Sequence, residues 1–168
     1  STLQKSASPA TTIFAPSSSA AKKEDVFLSQ IKTATSLSCD HGFKFGIENN
    51  DPEAFMFAHP DRCAELLNQI PDLGFVWDLN HTAPQHAPTF QALANRMSML
   101  HVSDTPLPET NHHLPLGQGN IDFPSYFQHL QANGFRGPAI FEIGGLPKSG
   151  GFGRDTDEAL ITSRSYLE

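Results

Sequence analysis

Four short apolar runs in this chain each end in a residue able to hold a metal ion or move a proton. Glu48 closes Phe45-Gly46-Ile47-Glu48, Asp78 closes Phe75-Val76-Trp77-Asp78, His101 closes Met99-Leu100-His101, and Glu142 closes Ala139-Ile140-Phe141-Glu142. Taken singly, each reads better as an exposed polar residue at the end of a strand. Four in succession at the same depth do not. In a parallel sheet or barrel all C-terminal strand ends point to one face, and that face carries the active site. Three carboxylates converging there repel one another unless a cation lies among them. Three carboxylates and one imidazole suit one divalent ion, Mn, Mg, Zn or Co, with positions left open for water or substrate oxygens.

Two further histidines belong near this face. His81 follows Asp78 by three residues, through Asp78-Leu79-Asn80-His81, and serves as a second metal's ligand or as an acid/base group holding substrate. The most distinctive segment is Asn111-His112-His113-Leu114-Pro115-Leu116-Gly117-Gln118-Gly119-Asn120-Ile121-Asp122-Phe123. Its glycines allow sharp turns or close approach to a ligand, and His113 rather than His112 is the pocket candidate. His41, His59, His86 and His129 read as surface or packing residues, and Trp77 as core or pocket wall.

The elements that must position these residues follow one rhythm. Strands are expected over residues 43–48, 74–78, 97–101 and 138–142, with helices over 61–70, 85–95, 123–133 and 156–167 between and after them. Asp122 is placed to cap the third of these helices. An earlier helix is expected over 23–39 from the spacing of Val26, Phe27, Ile31, Ala34 and Leu37. Residues 1–24 are rich in Ser, Ala and Thr; around Ile13 they hold a short β-type run, and 17–21 reads as loop. The segment is expected to be flexible or to supply one further strand. Alternating strand and helix means a parallel α/β sheet in one domain over residues 1–168.

Composition narrows the functional classes. The chain has 168 residues, 38% of them apolar, and a formal net charge of -7. A complete (β/α)₈ barrel needs roughly 250 residues, so only part of one fits. With 11 Lys and Arg against 18 Asp and Glu, charge does not suggest nucleic-acid binding. Cys39 and Cys63 form no CxxC pair and read as reduced thiols of a cytoplasmic protein. No apolar run approaches the ~20 residues of a membrane span, and no basic-then-apolar leader opens the chain.

Together these motifs resemble the xylose-isomerase-like TIM-barrel superfamily, which unites sugar-phosphate isomerases and epimerases with the AP endonuclease family 2 enzymes. The similarity runs from about Phe43 to Leu167. It is carried by Gly46-Ile47-Glu48-Asn49, Asp78-Leu79-Asn80-His81, His101-Val102-Ser103-Asp104, the segment from His113 to Phe123, and Gly134-Phe135-Arg136-Gly137-Pro138-Ala139-Ile140-Phe141-Glu142. The resemblance implies a partial barrel comprising strands five to eight, with Ile13 near strand four. It implies that Glu48, Asp78, His101 and Glu142 ligate a single metal ion. Glu48 and Glu142 would handle the proton beside the carbonyl through an enediolate, and His81 would contact the sugar or sugar phosphate. The endonuclease branch uses more zinc and more histidines. His81 and His113 match two of its ligand positions, but its Asp two residues before the second is here Asn111, so a phosphodiesterase acting on abasic DNA ranks second.

The loop after Glu142, Gly144-Gly145-Leu146-Pro147-Lys148-Ser149-Gly150-Gly151-Phe152-Gly153-Arg154, lies where barrels often bind phosphate. Lys148 and Arg154 would grip a phosphorylated sugar there; the alternative is a solvent loop without a ligand. With the first half of the barrel missing, three accounts compete: a fragment of a longer protein, a half-barrel that forms a homodimer to close eight strands, and a non-catalytic metal-binding remnant.

Overall fold

The computed structural model describes residues 18–54, 57–144 and 155–168. Four parallel strands, β1 (Gly46–Glu48), β2 (Gly74–Asp78), β3 (Met97–Val102) and β4 (Ala139–Phe141), form one sheet in sequential order. Helix α1 (Ser18–Asp40) precedes the sheet. Helices α2 (Pro60–Gln69), α3 (Ala87–Gln91) and α4 (Phe123–Ala132) cross back between successive strands, and α5 (Asp157–Leu167) follows the last. This is an α/β fold and part of a TIM barrel, with the four βα units running in chain order.

One face of the sheet packs on the helices because the residues pointing that way are large and apolar. Ile47, Phe75, Trp77, Leu100 and Val102 meet Cys63, Leu66 and Leu67 of α2, Phe90 of α3, and Phe123 and Leu130 of α4 in a single buried cluster. Phe75 and Trp77 stack on Phe90 with ring centroids 5.9 Å apart, and Trp77 stacks on Tyr126 at 5.7 Å. Each such buried aromatic or leucine stabilises the fold by about 1.5–3 kcal/mol relative to exposure. The alternate residues, Glu48, Val76, Asp78, Met99, His101 and Ile140, occupy the opposite face. That face is open towards β4, where Ile140 is 46% exposed.

The register between β2 and β3 holds one irregularity. Phe75 pairs with Met97 and Val76 with Met99, so Ser98 is an extra residue on β3; thereafter Trp77 pairs with Leu100 and Asp78 with His101.

The elements depart from the sequence expectations in four places. The helix expected over 85–95 is a 3₁₀ turn (Pro84–His86), the short α3 and a second 3₁₀ turn (Ala94–Arg96). Pro84 and Pro88 each lack an N–H and start new turns instead of continuing one helix. Strand β1 starts at Gly46 rather than residue 43, because Ser38 of α1 claims the preceding backbone: its carbonyl accepts from Phe43 N at 3.0 Å and its hydroxyl from Phe45 N at 3.3 Å. Strand β4 spans three residues, although Pro138 O still accepts from Leu100 N and Glu142 N still donates to Val102 O. Helix α1 begins at Ser18, inside the segment 17–21 expected to be loop. It buries Ile31, Thr35 and Ser38 along one stripe, while Val26 and Leu37 face outward at 57% and 52% exposure. The expected strand near Ile13 lies outside the described residues.

Candidate metal centre

The strand ends deliver the four expected donors to one place. Glu48 ends β1 and Asp78 ends β2; His101 is the fifth residue of β3; Glu142 directly follows β4 and is tied to β3 by its N–H bond to Val102 O at 3.1 Å. One ligand atom from each of the four lies within 4.8 Å of the others. His101 Nδ1 stands 2.9 Å from Glu142 Oε2 and 3.4 Å from Glu48 Oε1. It has the distance of a hydrogen bond but not its direction, so it remains without a partner. Asp78 is fully buried; its Oδ1 accepts from Asn80 N at 2.7 Å, while its Oδ2 has no donor.

A buried carboxylate oxygen without a donor is costly. Together with two more carboxylates and an imidazole aimed at the same point, it fits a cation better than it fits itself. Glu48, Asp78, His101 and Glu142 therefore suit a divalent ion of the Mg, Mn, Zn or Co type.

Without an ion the groups neutralise one another. Glu142 and then Glu48 at hydrogen-bonding distance raise His101 to about 10. Burial opposes the ionisation of Glu48, but His101 and His81 outweigh it and hold Glu48 at about 2. His101 likewise holds Glu142 below the usual carboxylate range against its burial. Asp78 is raised to about 7, mainly by burial, with His81 and the Asn80 N–H only partly offsetting it.

His81 joins the centre. Its Nδ1 lies 3.2 Å from Asp78 Oδ2, 3.5 Å from Glu48 Oε1 and 3.2 Å from the Asn49 carbonyl. Burial pulls its pKa down, but Glu48 and Asp78 bring it up to about 9. His113 stands edge-on to His81, ring centroids 5.2 Å apart, and with Asp78 and His81 makes a second group whose donors lie within 4.8 Å. Its Nδ1 is 3.1 Å from Glu142 O and 3.3 Å from Ser103 Oγ, its Nε2 is 3.0 Å from Asn111 Oδ1, and burial keeps it neutral by lowering its pKa. Lys148 and Arg154 lie outside the described residues. His59 and His86 face each other at 5.0 Å, His112 pairs with Glu109 at 2.8 Å, and His129 bonds back to Ser125 of its own helix.

The glycine-rich segment after His113 wraps a carboxylate of the chain itself. Asp104, buried, accepts from the backbone N–H of Gly117 and Gly119 at 2.9 Å each, Ile121 at 3.1 Å and Thr105 at 2.9 Å. A Cβ on Gly119 would stand 2.4 Å from Asp104 Oδ1 and from Thr105 O, so only glycine fits. Sequence reading placed Asp104 in a motif without giving it a role, because three of its four partners lie 13 to 17 residues away. Asp122 caps α4 as expected, accepting from Ser125 N at 3.2 Å.

A family model described as "Xylose isomerase-like TIM barrel" matches residues 8–163. The chain belongs to that family. Solved structures similar to it include the 3-keto-D-glucoside 4-epimerase of E. coli, with TM-score 0.67 and 18% identity over 92% of this chain and 55% of that one. A xylose isomerase-like TIM-barrel protein of Mycobacterium smegmatis, solved with magnesium, gives TM-score 0.63 and 15% identity over 85% and 48%. An AP endonuclease of family 2 from Brucella melitensis gives TM-score 0.58 and 16% identity over 70% and 47%. The chain thus spans about half the length of these family relatives. None of the curated proteins matches it. No helix among the described residues is long and apolar enough to cross a membrane.

Proposed function

We propose that this xylose isomerase-like barrel is a divalent-metal-dependent isomerase or epimerase of a small sugar or sugar phosphate. The carrying observation is the convergence of Glu48, Asp78, His101 and Glu142, with Asp78 Oδ2 buried and lacking a donor. A cation held by these four would polarise the substrate carbonyl and its neighbouring hydroxyl and offset the negative charge that builds there. Glu48 and Glu142 come from the two outermost strands and flank His101. Both are held as carboxylates at neutral pH. One takes up the proton beside the carbonyl, and the other, once it has drawn a proton from solvent, delivers that proton from the opposite side. His81, beside both Glu48 and Asp78, orients a substrate hydroxyl. Lys148 and Arg154 hold the phosphate, and changing both to Ala is expected to raise KM for a phosphorylated sugar while sparing its unphosphorylated counterpart. Two copies complete the barrel, and free Cys39 and Cys63 suit a reducing cytoplasm.

The first experiment is calorimetric titration of the chain and of Glu142→Ala with Mn²⁺, Mg²⁺, Zn²⁺ and Co²⁺, followed by a screen of ketoses and aldoses with and without phosphate. One ion per chain, lost in the variant, and metal-dependent turnover are expected. Absence of metal binding would sink the reading, and one ion without turnover would leave a metal-binding module. The group of Asp78, His81 and His113 supports a second reading, a multi-zinc phosphodiesterase, which more than one zinc per chain and cleavage of abasic DNA would bring forward.

A further inference from the structure

The ladder between β1 and β2 runs out at Glu48, whose register partner is Val76. Asn49 then takes over with its side chain. Its Oδ1 accepts from Asp78 N at 2.7 Å and its Nδ2 donates to Asp78 O at 3.0 Å, so the carboxamide stands in for the next peptide of β1. The backbone N–H of Asn49 donates to Val76 O, and its carbonyl faces His81 Nδ1 at 3.2 Å. The residue is 1% exposed. On the other side of Asp78, Leu79 N donates to His101 O, which ties the same stretch to β3.

We infer that Asn49 is a positioning residue of the metal centre, fixing the depth of the Asp78 carboxylate and the rotation of the His81 ring. The inference rests on the metal-centre reading above. Only an amide of this length has both the donor and the acceptor that the two backbone groups of Asp78 require. An aspartate keeps the size and the acceptor but loses the donor and brings a further negative charge beside Glu48, Asp78 and Glu142. A glutamine is one methylene too long. With both backbone groups of Asp78 held, its Oδ2 stays aimed at the centre instead of relaxing towards a donor. With Nδ1 of His81 turned to the Asn49 carbonyl, Nε2 is the nitrogen left for substrate.

The test is Mn²⁺ affinity by calorimetry on the full chain and on Asn49→Ala, Asn49→Asp and Ser38→Ala, each confirmed as folded by circular dichroism. Ser38 is equally buried, bonds Phe45 N and Thr35 O, and lies on α1 away from the donors, so it controls for lost internal bonding alone. Groups that orient metal ligands typically carry ten- to hundredfold in affinity, and a loss of about that size is expected in both Asn49 variants. Ser38→Ala is expected to lower Tm and leave Mn²⁺ affinity unchanged. If the alanine variant fails to fold, the near-isosteric Asn49→Asp decides. Wild-type affinity in a folded Asn49 variant would overturn the inference and leave the metal centre standing. Failure of the wild-type chain to bind Mn²⁺ would overturn both.

Discussion

At the scale of single residues the centre is a cluster of opposed charges that an ion would reorganise. His101 at about 10 and His81 at about 9 both lie above the 6.5 of a free imidazole. Their stabilisation is complete below 6.5 and is lost as pH rises through 9 to 10. Glu48, at about 2 against 4.5, works in the other sense: its contribution is full above 4.5 and is lost as pH falls towards 2. Asp78, raised to about 7 from 3.8, adds a loss of stability as pH climbs between those values. The metal-free chain is therefore expected to reach its highest Tm near pH 4.5 and to lose stability steadily from there towards pH 10. A divalent ion competes with the protons on His101 and the carboxylates, so the rise in Tm on adding Mn²⁺ should be larger at alkaline pH. Thermal scans in chelator and in excess Mn²⁺ test both statements; a chelator curve that climbs from pH 6 to 9 would contradict them. The residue types and their places at strand ends made Glu48, Asp78, His101 and Glu142 legible in the sequence. Asn49 was legible only as part of a motif, since its role depends on a pairing with Asp78, 29 residues away.

At the scale of elements, the loop between β3 and α4 owes its shape to one side chain. Asp104 gathers four backbone N–H groups, and Asn80 secures the start of the same loop by donating to Asp104 O at 2.6 Å and accepting from His112 N at 2.7 Å. The loop returns His113 to the Glu142 carbonyl, and Gly144 N donates back to His113 O at 3.1 Å. Asp104→Ala leaves those N–H groups without their acceptor and is expected to cost on the order of 3 kcal/mol or more. Asp104→Asn, which keeps one acceptor oxygen, should cost less than half of that. Urea unfolding of both variants measures the difference. The strands were legible as elements because each apolar run ended at a polar residue. The helix expected over 85–95 was misjudged because Pro84 and Pro88 break the segment into separate turns. The start of β1 depended on Ser38, and no pattern local to residues 43–45 announces it.

At the scale of the whole molecule, both edges of the sheet are left without a strand partner among the described residues, and each is flanked by exposed apolar side chains. Phe43 is 59% exposed before β1 and Ile140 46% exposed on β4, with Ile161 of α5 at 66%. Such edges invite pairing. The isolated chain is expected to self-associate at micromolar concentration, read by light scattering after size exclusion, and a monodisperse monomer would count against a closed pair. The single extra residue on β3 also governs how the two layers of this half-barrel are phased. Before Ser98, β3 sends Met97 to the helix side; after it, Leu100 and Val102 go to the helices and His101 to the open face. Were Ser98 instead taken into the ladder as an ordinary paired residue, with every donor kept in the sequence, the strand beyond it would turn by one position, carry the imidazole into the hydrophobic layer and bring Leu100 to the three carboxylates. The chemistry of this centre is thus written in a reading frame, and a one-residue shift in β3 would erase it as completely as the loss of a ligand.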